Sequence, residues 1–323
     1  MSRNVTVGLD GSPESRAAAE WAAREAKRRG LPLRLVHVWE PVPEPMAQAP
    51  LLGAETQQHW SERSEMGAPP AEVPQPSAGG ALRGRIPRET AEGLRLRHPG
   101  VRVDMEQILG QPAEALTEAA KDAELLVLGS RGMSGIGGFL VGSVGQAVVA
   151  HAEQPVVLVR AAEQSADGHA MDPSAIPSAG ALSGPVVLGL DTDSPDDTLL
   201  TFAFEAAARR VTPLRVVHAW NLPPYFAYGL PADPELNAVL GKQDAATLAE
   251  VLHRWKEKYP AVKVIDESRS GSAAVQLVDA SREASLVVVG RRIRRSPLGA
   301  HIGPVTHAVL HHATAPVAVV AHD

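Results

Sequence analysis

The residues best suited to chemistry stand together in one stretch, Gly129-Ser-Arg131-Gly132-Met-Ser-Gly135-Ile-Gly137-Gly138-Phe-Leu-Val-Gly142-Ser143-Val144. Glycines let backbone N–H groups come close to a ligand and take positive φ without steric cost. A helix-like segment follows Gly142-Ser143. The N–H groups that open a helix lack intrahelical partners, and together with the helix dipole they favour phosphate. The Ser143 hydroxyl adds a donor for a phosphate oxygen. Such a stretch is either a plain surface loop or a phosphate cradle. Its place between the apolar run Leu125–Leu128 and a helix favours the cradle. Other nucleotide loops do not fit. There is no Gly-x-x-x-x-Gly-Lys-Ser/Thr, and no Gly-x-Gly-x-x-Gly follows the first strand-like run.

The elements that must position this loop occur twice. Val5-Thr-Val-Gly8-Leu9-Asp10 returns 181 residues later as Val186-Val-Leu-Gly189-Leu190-Asp191. At the same shift Leu33-Arg-Leu-Val-His37-Val38-Trp39 becomes Leu214-Arg-Val-Val-His218-Ala219-Trp220. Further along the shift is 161: Leu125-Leu-Val-Leu-Gly129 returns as Leu286-Val-Val-Val-Gly290, and Gln154-Pro155 as Ala315-Pro316. The first copy therefore holds 20 extra residues between Trp39 and Val101. Residues 40–87 are dense in Pro, Ala, Gly and Glu, a composition that buries too little apolar area to offset chain ordering. They are expected to form a mobile insertion, with a short helix around 54–66. Two domains are expected, 1–161 and 185–323, joined by an Ala/Ser/Gly/Pro-rich linker over 162–184.

Within the first copy the pattern predicts strands at 4–9, 33–39, 101–108, 124–129 and 155–160. Helices are predicted at 13–29, 88–98, 112–122 and 143–152. Ser12 is a good N-cap with Pro13 in the first turn, and Gly30 a good stop. Strands alternating with helices imply an α/β fold. Each tandem domain should be doubly wound, a five-stranded parallel sheet with helices on both faces. Its ligand crevice lies at the carboxyl ends of the strands.

The bulk properties exclude several classes. The net charge of −6 supplies no basic footprint for nucleic acid or for an anionic membrane surface. The absence of cysteine removes disulfides, thiolate catalysis and Cys-based zinc sites. Aromatics are only 4% of residues, so the cores must be built from Val, Leu, Ile and Ala. Met1-Ser2-Arg3-Asn4 runs straight into a strand-like segment, and no apolar run reaches the roughly 18 residues of a membrane span. A cytoplasmic protein is expected.

The loop fits Gly-x2-Gly-x9-Gly-Ser/Thr at Gly129, Gly132, Gly142 and Ser143. With Gly8-Leu9-Asp10-Gly11-Ser12, His37-Val38 and Gly110-Gln-Pro112-Ala-Glu114 in order, it resembles the ATP-binding signature of the universal stress protein family. The resemblance covers both copies. It implies ATP in the first domain, with Gly8 and Asp10 toward ribose and adenine and Val38 offering backbone bonds to the adenine edge. Gly129, Arg131, Gly132, Gly142, Ser143 and Val144 would line the phosphates. It leaves room for magnesium beside the phosphates, although no dedicated carboxylate cluster stands out. Asp10 is alternatively a turn residue before Ser12-Pro13, Arg131 alternatively solvent-facing, and His37 is read as structural.

The second loop departs from the pattern. Gly132 is replaced by Ile293 and Ser143 by Pro304, which add a β-branched side chain and delete an N–H and a hydroxyl. Arg291, Arg292, Arg294 and Arg295 are either anion ligands or a solvated basic loop. The resemblance implies a regulator in stress response rather than an enzyme. The alternative is a slow ATPase on the same fold. The last strands are expected to pair the two domains, and a homodimer stays open.

Overall fold

The computed structural model describes residues 3–39, 78–130, 141–161, 184–220, 234–293 and 302–323, with side chains from 87 and 238 onward in the two helices that open at 78 and 234. The first copy builds β1 (Asn4–Leu9), α1 (Pro13–Arg29), β2 (Leu33–Trp39), α2 (Ala78–Arg97), β3 (Val103–Leu109), α3 (Pro112–Ala120), β4 (Ala123–Ser130), α4 (Ser143–His151) and β5 (Val156–Arg160). The second builds β6 (Val186–Gly189), α5 (Asp197–Arg210), β7 (Leu214–Trp220), α6 (Pro234–Lys258), β8 (Val264–Ser270), α7 (Ala273–Ala280), β9 (Leu286–Arg292), α8 (Pro304–His312) and β10 (Val317–His322). One ten-stranded sheet results, in the order β3-β2-β1-β4-β5-β10-β9-β6-β7-β8. Pairing is parallel inside each copy and antiparallel at β5–β10, where Val317 faces Leu158 and Val319 faces Val156. Each copy is thus a doubly wound α/β unit with strand order 3-2-1-4-5.

Local sequence explains the elements. The Ser12 side chain accepts from the Ser15 N–H, Pro13 starts α1, and Gly30 ends it at φ 65. β4 and β5 are apolar along their length because both faces are covered. The core follows sheet faces, not copies. One cluster joins α1 and α2 to α5 and α6 through residues such as Ala22, Leu94, Phe204 and Leu252. The other joins α3 and α4 to α7 and α8 through Leu116, Val148, Leu277 and Val309. At the two outer edges the same ion pair recurs, Arg34 with Glu106 and Arg215 with Glu267. Charged edges discourage pairing with another chain.

One segment differs from the sequence expectation. α2 begins at Ala78, so the last ten residues of the 40–87 insertion are helical rather than mobile. That stretch contains the helix formers Ala81, Leu82, Arg83 and Arg85, and Pro87 removes one hydrogen bond without ending the helix. Residues 40–77, with the helix expected around 54–66, and 162–183 of the linker lie outside the described residues.

The two copies also meet through charge. Glu25 of α1 is wholly buried. It accepts from Arg29 Nε at 2.8 Å and, across the seam, from Arg210 Nη2 of α5 at 2.7 Å. Arg29 also reaches Glu124 at 2.7 Å. The arrangement is reciprocal: Arg29 lies over the Phe202 ring and Arg210 over Trp21, at 5.5 and 5.7 Å from the centroids. Burial alone pushes the Glu25 carboxyl up, but Arg210, Arg29 and Arg28 together hold it below the usual carboxylate range. Its stabilising contribution is therefore present above the unfolded carboxyl value of about 4.3 and is lost as pH falls through the lower folded value. Glu25→Gln should destabilise the chain by about 3 kcal/mol near neutral pH, because two buried guanidinium groups lose their shared partner. The gap between wild type and variant should close below about pH 4. Urea denaturation across pH checks this, and a gap that is constant with pH would contradict it.

Candidate functional site

In each copy the strand order reverses between its first and fourth strands, and the crevice of a doubly wound sheet opens at that switch point. In the first copy this is the carboxyl end of β1 and β4. Gly129 sits there against the first turn of α1. A Cβ on Gly129 would lie 2.6 Å from the Glu14 carbonyl carbon, 2.7 Å from Ser15 N and 2.8 Å from Glu14 O. All three are backbone atoms, so only glycine lets α1 start where it does. The contact brings the end of β4 to the turn that carries Asp10.

Asp10 is exposed, and its Oδ1 accepts from the Ser12 N–H at 2.9 Å and the Ser12 hydroxyl at 2.5 Å. Burial raises its pKa, while the bonds from Ser12 outweigh this and hold the carboxyl below its ordinary value. It is therefore an anion at neutral pH, set at the rim by its own turn. The turn reading of Asp10 and the ligand reading are compatible. His37 is buried, with Nδ1 2.8 Å from Leu9 O, and ties the end of β2 to β1. Val38 follows it, half-buried and paired with Ile108 of β3. The space before Gly8 is filled by Leu128 Cδ2 at 2.7 Å and Leu116 Cδ2 at 3.1 Å, where a Cβ would fall. Packing explains that glycine without a ligand.

At the phosphate end, Gly142 is the N-cap of α4 with φ −60° and ψ 156°, and its carbonyl accepts from Gln146 N. Ser143 is exposed at the first helical position and Val144 is half-buried beside it. No acidic residue stands in this first turn. The N–H groups of the turn are free of intrahelical acceptors, so the helix presents donors and positive dipole to an anion. Arg131 and Gly132 lie outside the described residues. Among the described residues no group of three His, Asp or Glu could hold a metal ion, and no helix is long and apolar enough to cross a membrane.

The second crevice is built differently. Asp191 accepts from Asp193 N at 3.1 Å, but α5 is capped by Asp196 and has 14 residues against 17 in α1. Its first turn has become the loop Asp191-Thr-Asp-Ser-Pro-Asp196. The space over Gly290 is taken by His322, whose Nε2 would lie 2.7 Å from a Cβ there. Pro304 occupies the first position of α8 after Gly303, whose φ and ψ, −68° and 158°, match those of Gly142. Arg291 is no anion ligand: it is buried and donates from Nη2 to Ala152 O of the first copy at 2.5 Å. Burial pushes its pKa down while Glu153 opposes that. Arg292 is exposed, and Arg294 and Arg295 lie outside the described residues. Sequence reasoning missed His322 and the late start of α5. The second was not readable, since Ser194-Pro195 repeats the Ser12-Pro13 start signal while the helix is capped two residues later by Asp196.

A family model described as the universal stress protein family matches residues 1–160 and 183–321. A universal stress protein of Mycolicibacterium smegmatis is 31% identical over 320 residues, covering 98% of this chain and 96% of its own. One from Mycobacterium tuberculosis is 32% identical over 329 residues with the same coverage. The crystal structure of a universal stress protein from Archaeoglobus fulgidus matches the whole length of both chains with a TM-score of 0.62 at 16% identity, which is a likeness of fold.

The two loop glycines make opposite demands. Gly129→Ala drives a methyl into backbone and should destabilise by about 3 kcal/mol. Gly290→Ala meets mainly the end of a side chain that can turn aside, and should lose at most about 1 kcal/mol. Chemical denaturation of both variants tests this, and equal losses would contradict the contact geometry.

Proposed function

The chain belongs to the universal stress protein family, and we propose that its first domain binds ATP as a regulatory ligand in stress response. The observation that carries this reading is the open start of α4, whose Gly142 cap and exposed Ser143 come after β4, the strand beside the β1 that leads into Asp10. Gly142, Ser143 and Val144 would hold phosphate oxygens through backbone N–H groups and the hydroxyl. Arg131 would add charge from the loop, and Gly129 and Gly132 close backbone approach. Asp10 and the backbone of Val38 would take the nucleoside. Bound ATP supplies a triphosphate that favours whichever conformation completes these contacts. Magnesium would be held by the phosphates rather than by a protein cage.

The reading assigns no reaction. A hydrolase needs a group to position water and cations against developing charge. Neither glycine-rich loop contains lysine. The second domain is assigned no ATP, because Pro304 and Ile293 delete donors and close approach, and His322 stands over Gly290. The cell interior is the proposed location.

Ser143→Pro separates site from fold. Proline is already accepted at the matching position of α8, so the helix should keep its stability. Losing one hydroxyl and one N–H should weaken ATP binding roughly a hundred-fold. Calorimetry of wild type should show a stoichiometry near one per chain, and Ile293→Gly with Pro304→Ser should raise it toward two. Unchanged affinity in Ser143→Pro, or two equal sites in wild type, would refute the assignment. Accumulation of ADP during the titration would favour the ATPase.

A further inference from the structure

The antiparallel seam turns the second sheet end for end, so the two crevices open on opposite edges of the ten-stranded sheet. A crossover helix runs against its strands. The N-terminus of α4 therefore lies at the crevice edge of the first copy, and its C-terminus lies at the crevice edge of the second. Nine residues at about 1.5 Å each make a rigid rod of about 13 Å between them. Its far end is held by the second copy. Arg291 follows Gly290 at the end of β9, is 4% exposed, and donates to the carbonyl of Ala152, the C-cap of α4. A cation is favourable at a helix C-terminus. The matching residue in the first copy, 161 positions earlier, is Ser130, which bonds within its own copy to Val159 O. A separate arginine makes the reverse contact: Arg160, at the end of β5, donates to Leu310 O in the last turn of α8. Gln146 and His311 also meet between the two helices at 3.3 Å.

We propose that Arg291 of the second domain is a positioning residue for the phosphate site of the first, fixing α4 from its C-terminus so that the N–H groups at Ser143 and Val144 stand in place. The proposal rests on the reading of α4 as the phosphate helix. It also gives the second domain a role that needs no nucleotide of its own. The strand that leads into the loop without the phosphate pattern supplies the anchor for the helix that follows the loop with it.

The test uses the full chain and three variants: Arg291→Ala, Arg291→Lys and Arg160→Ala. Amide hydrogen exchange of the nucleotide-free protein reads the helices directly. Arg291→Ala should speed exchange in α4 roughly ten-fold and leave α8 unchanged, while Arg160→Ala should do the reverse. Arg291→Lys keeps a cation at the helix end and should restore most of the protection, which also guards against a variant that fails to fold. ATP affinity by calorimetry should fall roughly five- to ten-fold in Arg291→Ala and stay at the wild-type value in Arg160→Ala. Unchanged exchange in α4, equal effects of the two alanine variants on α4, or ATP affinity insensitive to Arg291 would overturn the proposal. If wild type binds no ATP, the nucleotide reading fails, and the exchange measurements alone still decide whether Arg291 fixes α4.

Discussion

Three residue pairs in the middle of the sheet orient everything else. Val156, Val157 and Leu158 run against Val319, Ala318 and Val317, while every other neighbouring pair of strands runs parallel. β5 and β10 would each be an apolar edge strand if its copy stood alone. An uncovered edge of that kind is a template for pairing. Joined, the strands are buried on both faces, and the helices on each face close over a core that runs through both copies. The reversal at this ladder also separates the crevices. It brings the end of one copy's last helix to the mouth of the other copy's crevice. The contacts of Arg160 and Arg291 are consequences of that direction change.

The seam is not symmetric, and its asymmetry is electrostatic. Arg29 and Arg210 are counterparts at a shift of 181, as are Trp21 and Phe202. Glu25 has Ala206 as its counterpart, and Glu124 has Ser285 at the shift of 161. The first copy thus brings carboxylates for both arginines, and the second brings none at these positions. Pairing two first copies would crowd two buried Glu25 carboxylates together. Pairing two second copies would leave both Arg210 side chains without them. Removing one partner of a buried ion pair leaves an uncompensated charge, a heavy penalty at low dielectric. The tandem chain avoids both outcomes by pairing unlike faces.

Much of this was legible in the sequence because the determinants are local. The caps of α1 are single residues with one geometric use, and the apolar runs of β4 and β5 have no other soluble solution. The start of α2 was not legible, because average composition over 40–87 hides the ten residues that do form helix. Neither sequence alternative for Arg291, an anion ligand or part of a solvated basic loop, holds, because Arg292, Arg294 and Arg295 make it look like one of a basic series while the fold buries it. Its burial depends on Ala152, 139 residues away, and on which direction β10 runs beside β5. No spacing rule carries that information.

The same separation of local from distant causes explains why the two crevices diverged unevenly. The first position of a helix tolerates proline, because the N–H that proline lacks has no helical partner. Ser143 and Pro304 are therefore interchangeable for folding and differ only toward a ligand. Gly129 has no such freedom, since helix backbone lies on it. The second copy keeps glycine at the matching place for a different reason, with α5 starting a turn later and the imidazole of His322 over Gly290. Glycine at both positions is consequently weak testimony to a shared ligand. The telling positions are those where folding is indifferent, and there the two copies part.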